Sequence, residues 1–204
     1  HFCARTSTAD LFCWGYNGLG AIGTGGTAAQ PWAFPTMTGV SKFALGTNHT
    51  CATTGPTNLY CWGDNTNYGL GDATATQRNS PTIITNSFSN IVQLAAGGQT
   101  TCVSDGGDVK CWGYGMDGML GNAATAAVTA AASATTVFTS AVDLAMGSQT
   151  TCAVNVTGAV YCWGFGDLGQ MGNGGITNPN LAPIASNITG AGDFAISVDV
   201  GGTH

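Results

Sequence analysis

The chain reads as an all-β array of four tandem, four-stranded units, each stapled by a local cysteine pair. Three observations predict this. Cys-Trp-Gly occurs four times, beginning at Cys13, Cys61, Cys111 and Cys162, and each copy follows a second cysteine: Cys3, Cys51, Cys102 and Cys152. Each copy also runs into a glycine-rich turn: YNGLGAIG, DNTNYGLG, YGMDGMLG or FGDLGQMG. Short apolar stretches alternate with a period of two, and no segment carries a helical period. Self-similarity at a fixed spacing marks a repeat architecture. The first cysteine recurs after 48, 51 and 50 residues, dividing residues 1–204 into repeats of approximately 1–48, 49–99, 100–149 and 150–204 within one array. VDVGGTH at 198–204 parallels FALGTNH at 43–49 and opens a fifth unit.

Each unit reads as four short strands. The first is a period-two stretch ending in glycine, with Val92, Leu94 and Ala96 expected on one face before Gly97. Val142, Leu144 and Met146 repeat the pattern before Gly147, and Ile196, Val198 and Val200 before Gly201. The second and third strands are the cysteine-bearing arms of a hairpin. The fourth is a looser stretch: PTMT at 35, PTIIT at 81, TTVFT at 135 and API at 182. Its prolines suit an edge strand, where a missing N–H costs no ladder bond.

The hairpin register follows from pairing Cys102 with Cys111. Val103 then faces Lys110, Ser104 faces Val109 and Asp105 faces Asp108, leaving Gly106-Gly107 as a two-residue loop that needs positive φ. Counting outward from that loop makes the cysteines a non-hydrogen-bonded pair, where side chains approach most closely. The other three units have one more residue between their cysteines and a three-residue loop, such as Val156-Thr157-Gly158.

Eight cysteines in four local pairs leave no odd thiol, and the expected disulfides are Cys3–Cys13, Cys51–Cys61, Cys102–Cys111 and Cys152–Cys162. A loop of about ten residues closed in this way is worth roughly 3 kcal/mol in the chain-entropy model. Zinc is the competing reading, but zinc sites use cysteines two to four apart or nearby histidines. A reduced, buried pair is the bland alternative.

Composition narrows the function. Charged residues make up only 7% of the 204, with ten Asp, no Glu, and four isolated cations, Arg5, Lys42, Arg78 and Lys110. Four scattered cations build no phosphate-binding patch, so nucleic acid is not an expected partner. A surface of Thr, Ser, Asn, Gly and Ala suits an extracellular or cell-surface protein, where paired cysteines are oxidised. The chain shows no signal peptide or initiating Met and reads as a processed or excised piece. Residues 122–142 carry no charge over about one bilayer span, yet they are mostly Ala and Thr, and no membrane span is expected.

The unit V-x-L-A-x-G-x-x-T-T-C-A-V…V-Y-C-W-G-x-G-x-x-G-x-M-G resembles the repeat of the regulator of chromosome condensation family, over all 204 residues. The resemblance implies propeller-type blades, part of a β-propeller, usually seven-bladed, or of an open blade array. DNTNYGLG in the second repeat and the connector around Asn187 to Asp193 depart from the pattern, and both fall in loops. Founding members act as nucleotide exchange factors and bind chromatin. Another relative is an extracellular propeller that inhibits a β-lactamase through its loop face. Nothing in this chain matches an inserted exchange wedge.

No catalytic, cofactor or metal site is expected. His1, His49 and His204 occupy one repeat position, which points to a structural role. Asp64, Asn65, Asn67 and Asp72 have oxygen ligands for calcium but not the spacing of its 12-residue loop, and turn formation accounts for them. Trp14, Trp62, Trp112 and Trp163 are expected to pack between blades; Trp32 breaks the repeat and reads as a surface contact. Asn48, Asn155 and Asn187 head N-glycosylation sequons, with Asn155 at a hairpin tip. Three functions stay open: an extracellular structural or filament-forming array, an extracellular propeller that binds or inhibits a protein through its loop face, and a small-GTPase exchange factor. The expected partners are other copies of the chain or its own continuation, and glycans. The termini are in phase, so a further blade would continue the repeat and cover apolar end faces.

Overall fold

In the structure, a computed structural model describing residues 1–176, 178–187 and 194–202, the cysteine hairpins form the middle of every sheet. The first sheet has three strands, β1 (Phe2–Arg5), β2 (Leu11–Gly15) and β3 (Gln30–Met37). The second runs β4 (Lys42–Leu45), β5 (His49–Thr54), β6 (Asn58–Gly63) and β7 (Arg78–Ile83). The third runs β8 (Ile91–Gly97), β9 (Thr100–Asp105), β10 (Asp108–Gly113) and β11 (Thr136–Phe138). The fourth runs β12 (Ala141–Met146), β13 (Thr150–Asn155), β14 (Val160–Gly164) and β15 (Asn180–Ala185). Strands follow chain order within each sheet and pair antiparallel throughout. The cysteine-to-cysteine period is one strand out of step with the sheets: residues 48, 99 and 149 fall between the first and second strand of each.

The third hairpin has the derived register, Cys102 opposite Cys111 and Asp105 opposite Asp108. Gly106 and Gly107 turn at φ +63° and +104°, a conformation L side chains adopt only under strain. The cysteine Cα atoms are 4.1 Å apart, the close approach of a non-hydrogen-bonded pair. Prolines 35, 81 and 183 all lie on the outermost strands β3, β7 and β15. Residues 122–142 supply a connector, one turn of 3-10 helix (Ala131–Ser133) and β11; among the described residues no helix is long and apolar enough to cross a membrane.

The innermost strands depart from the expected alternation. A β-bulge lies between Ile91 and Gln93, and another between Ala141 and Asp143. A bulge shifts side-chain alternation by one residue. Ile91 and Ala141 are therefore buried, while Val142 is 42% exposed and Val92 only half-buried. Ile196 is likewise exposed, and Ala195 packs in its place. The cause is tertiary. The backbone N–H groups of Val40, Ile91, Ala141 and Ala195 donate to hairpin-tip carbonyls of the preceding unit, at Ala9, Pro56, Gly107 and Gly158.

The core lies between sheets rather than inside one. One cluster joins Leu11, Cys13 and Ile22 to Ala52 and Trp62 of the next sheet. A second joins Cys51, Leu59 and Cys61 to Val103 and Trp112, and a third joins Cys102, Val109 and Cys111 to Leu144 and Trp163. The inner strands converge on glycine. A Cβ at Gly97 would stand 2.0 Å from the Gly147 carbonyl oxygen, and one at Gly147 would stand 2.1 Å from that of Gly201. Both faces of a middle sheet are thus covered, which is why Ala95 and Ala96, on opposite faces of β8, are both buried.

Candidate functional site

All eight cysteines are paired within their own hairpins, as Cys3–Cys13, Cys51–Cys61, Cys102–Cys111 and Cys152–Cys162. The first three pairs share the clusters that receive the next unit's tryptophan, and Cys152 and Cys162 pack with Val154, Val160 and Met171. Trp62, Trp112 and Trp163 are fully buried. Each indole N–H donates to a backbone carbonyl in the preceding unit's glycine-rich turn: Ala21 at 2.8 Å, Gly69 at 3.1 Å and Met119 at 2.8 Å. A threonine hydroxyl donates to the same oxygen in every case, from Thr50, Thr101 and Thr151. Two donors on one buried carbonyl fix both the spacing and the angle of neighbouring sheets. Trp14 is half-buried and stacks on Phe2, with ring centroids 6.2 Å apart. Trp32 is 81% exposed on β3.

The histidine position is structural. His49 is buried, and its Nε2 lies 2.9 Å from the Thr101 hydroxyl of the next sheet. That hydroxyl spends its proton on Gly69, so His49 must donate, which fixes the Nε2–H tautomer. Burial pushes the imidazole down to about 4, against a smaller opposite pull from Asp64. His1 meets Thr50 in the same way at 2.8 Å. His204 lies outside the described residues.

The turns joining first to second strands (46–48, 97–99, 147–149) and the loops after each tryptophan share one end of the sheets. Tyr114 N–H donates to Gln99, and Phe165 N–H to Gln149, which ties the two sets together. In the first two units an asparagine organises the loop. Asn65 donates to Asp72 and to the carbonyls of Thr74 and Thr76, and accepts from Leu70 N–H; Asn17 does the equivalent with Thr24, Gly26, Ala28 and Ile22. Asp72 is held by Arg78 at 2.7 Å. Burial alone would raise its carboxyl, but hydrogen bonds from Thr74, Arg78 and Asn65 hold it below the ordinary carboxylate range. Asp64 accepts from Thr66 and Gln99, and Asn67 donates to Gln99. These side chains are therefore taken up by the loop itself and by Gln99 of the next unit, and no group of three metal-binding side chains forms among the described residues.

One column of this face was missed in the sequence. Asn48, Gln99 and Gln149 each stand three residues before a cysteine. Gln99 and Gln149 each reach a carboxylate in the preceding unit's loop, Asp64 at 3.2 Å and Asp117 at 3.0 Å. Large apolar side chains project from the same loops: Tyr16, Met116 and Leu168 are 60%, 64% and 74% exposed. The sequon residues lie apart from one another. Asn48 borders the loop face, and its Thr50 is buried. Asn155 ends β13 at a hairpin tip, its Oδ1 accepting from Thr157 and Ala159 while Val156 beside it is 68% exposed. Asn187 is described, but Ile188 and Thr189 of its sequon, and the connector to Asp193, are not.

Four-stranded antiparallel sheets set side by side, with cores between them and glycine at the centre, define a β-propeller array. Family models described as Regulator of chromosome condensation (RCC1) repeat match residues 58–104, 157–204 and 141–170, and the chain belongs to that family. No curated protein matches the chain. Human WBSCR16 superimposes with a TM-score of 0.85 at 20% identity, covering 98% of this chain and 53% of that one. Prp20p of Saccharomyces cerevisiae, whose structure is described with its binding to Gsp1p and histones, gives 0.75 at 22% identity, covering 88% and 47%. The same yeast protein bound to Kap60 gives 0.74 at 22% identity, over 92% and 47%. The chain spans about half the length of these structures.

Proposed function

We propose that this chain is a non-enzymatic, extracellular propeller module that binds protein partners through the face carrying its post-tryptophan loops. The exposure of Met116 and Leu168 on neighbouring post-tryptophan loops, and of Tyr16 on the first unit's loop, on a disulfide-braced scaffold carries the reading. Apolar side chains in a polar rim on rigid supports are what protein interfaces are made of. Disulfides are consistent with an oxidising, extracellular setting. Nucleotide exchange inside cells is not favoured for that reason. Capture from extracellular fluid on the immobilised chain tests the proposal. Met116→Asp with Leu168→Asp should abolish recovery of a specific protein, and Val156→Asp, on the hairpin tips at the other end, should not. The opposite pattern would move the interface to the hairpin face. In a eukaryotic secretory host we expect glycan on Asn155, read as a mass shift on deglycosylation.

Assembly into a filament or surface appendage is the second reading, supported by the end face of the first sheet. The Trp14 indole N–H has no hydrogen-bond partner among the described residues, whereas its three equivalents each donate to the preceding unit. That face is shaped for another blade of this type, from a second copy or from continuing chain. Sedimentation of the 204-residue chain at rising concentration tests it: rings or fibres support self-assembly, and a monomer throughout removes it.

A further inference from the structure

The loop face holds a cavity of about 320 Å³ whose lining includes Asn48, Gln99, Tyr114, Asp117, Met119 and Gln149. Asp117 is the one charged side chain lining it among the described residues. Gln99 donates one amide hydrogen bond to Asp64, and Gln149 donates one to Asp117. Oδ1 of Asp117 makes no hydrogen bond among the described residues, whereas the backbone oxygens of Gln149 and Tyr114 already accept from Phe165 N–H and the Thr100 hydroxyl. None of the chain's cations lines the cavity. Arg78 is paired with Asp72, Lys110 with Asp105, Arg5 donates to the Val40 carbonyl, and Lys42 begins β4 at the opposite end. The lone carboxylate and the lack of any cation in the lining favour a ligand that brings positive charge and donors, and Tyr114 lines the same cavity.

We infer that this cavity seats an arginine side chain of a protein partner, its guanidinium donating to Asp117 and stacking on Tyr114. A guanidinium offers five donors in a plane that stacks on an aromatic ring, whereas an ammonium is compact and strongly hydrated. Anions are refused by Asp117, and a neutral sugar leaves its charge uncompensated. The inference rests on the loop-face reading and names what that face grips.

The probe is an acetylated, amidated Gly-Arg-Gly peptide titrated into the intact, disulfide-bonded chain and followed by NMR. Matched citrulline and lysine peptides and maltose are run beside it. We expect saturable shifts at Tyr114 and Gln149, and at least tenfold weaker binding of the citrulline peptide, since a charge-assisted hydrogen bond is lost. Asp117→Asn should weaken the arginine peptide about tenfold, and Tyr114→Ala severalfold with the charge intact. Asp108→Asn, on a hairpin tip, should change nothing. Equal affinity for citrulline and arginine, undiminished binding by both Asp117→Asn and Tyr114→Ala, or preferential binding of maltose would overturn the assignment. Partner capture that survives Asp117→Asn but not Met116→Asp would overturn it too, while leaving the loop-face reading in place.

Discussion

A single buried imidazole links two sheets and makes stability depend on acid. His49 titrates near 6.5 when exposed and near 4 in the fold, because burial disfavours its charged form. Between those values the unfolded chain binds the extra proton, so stability falls as pH drops from about 6.5 to 4 and is level above. The full effect is on the order of 3 kcal/mol. Urea unfolding at pH 7 and pH 4.5 should show the loss, and His49→Gln should flatten it; an unchanged slope would mean the ring is charged in the fold. Asp72 and Asp105 add a further loss at lower pH, since both carboxyls are held below their ordinary range and must be protonated as the fold is left. For Asp105, burial acts the other way, but hydrogen bonds from Asn90, Lys110 and Ser89 outweigh it.

The hairpins were legible because their constraints are local. Two cysteines and two glycines fix the pairing of β9 with β10, so counting residues suffices. Breaking that staple with Cys102→Ser and Cys111→Ser should lower the unfolding free energy by about 3 kcal/mol, measured from the denaturant midpoint. The inner strands were harder to read. Val142 is as good a core residue as Ala141, and only the hydrogen bond from Ala141 to Gly107, made between units, decides which faces inward. The Gln99–Asp64 and Gln149–Asp117 contacts were hidden for the same reason, their partners being 35 and 32 residues apart. The tryptophan column showed in the repeat, but its carbonyl acceptors did not, since any residue supplies a carbonyl: Ala21, Gly69 and Met119 share no side-chain chemistry. Glycine is tested by a contrast. Gly97→Ala drives a methyl against the Gly147 carbonyl and should cost at least about 3 kcal/mol, whereas Gly106→Ala meets no atom and should cost about 1 kcal/mol, for its positive φ alone.

At the scale of the whole molecule, charge is scarce and half of the positive charge is neutralised. With Arg78 and Lys110 in ion pairs, Arg5 and Lys42 are the cations left without a carboxylate partner among the described residues. Counterion release from so few contacts cannot hold DNA, and we expect no shift of duplex or nucleosome near physiological salt. Tight, salt-sensitive binding in a gel-shift assay would contradict this electrostatic reading. The molecule is held instead by one contact made repeatedly, an indole and a hydroxyl on a neighbour's carbonyl. Every such bond joins the same two repeat positions in successive blades. A duplicated stretch of coding sequence one repeat long therefore arrives with the donor half of one junction and the acceptor half of the next. Arrays of this kind can gain or lose whole blades by gene duplication and deletion, with no new junction to be evolved each time.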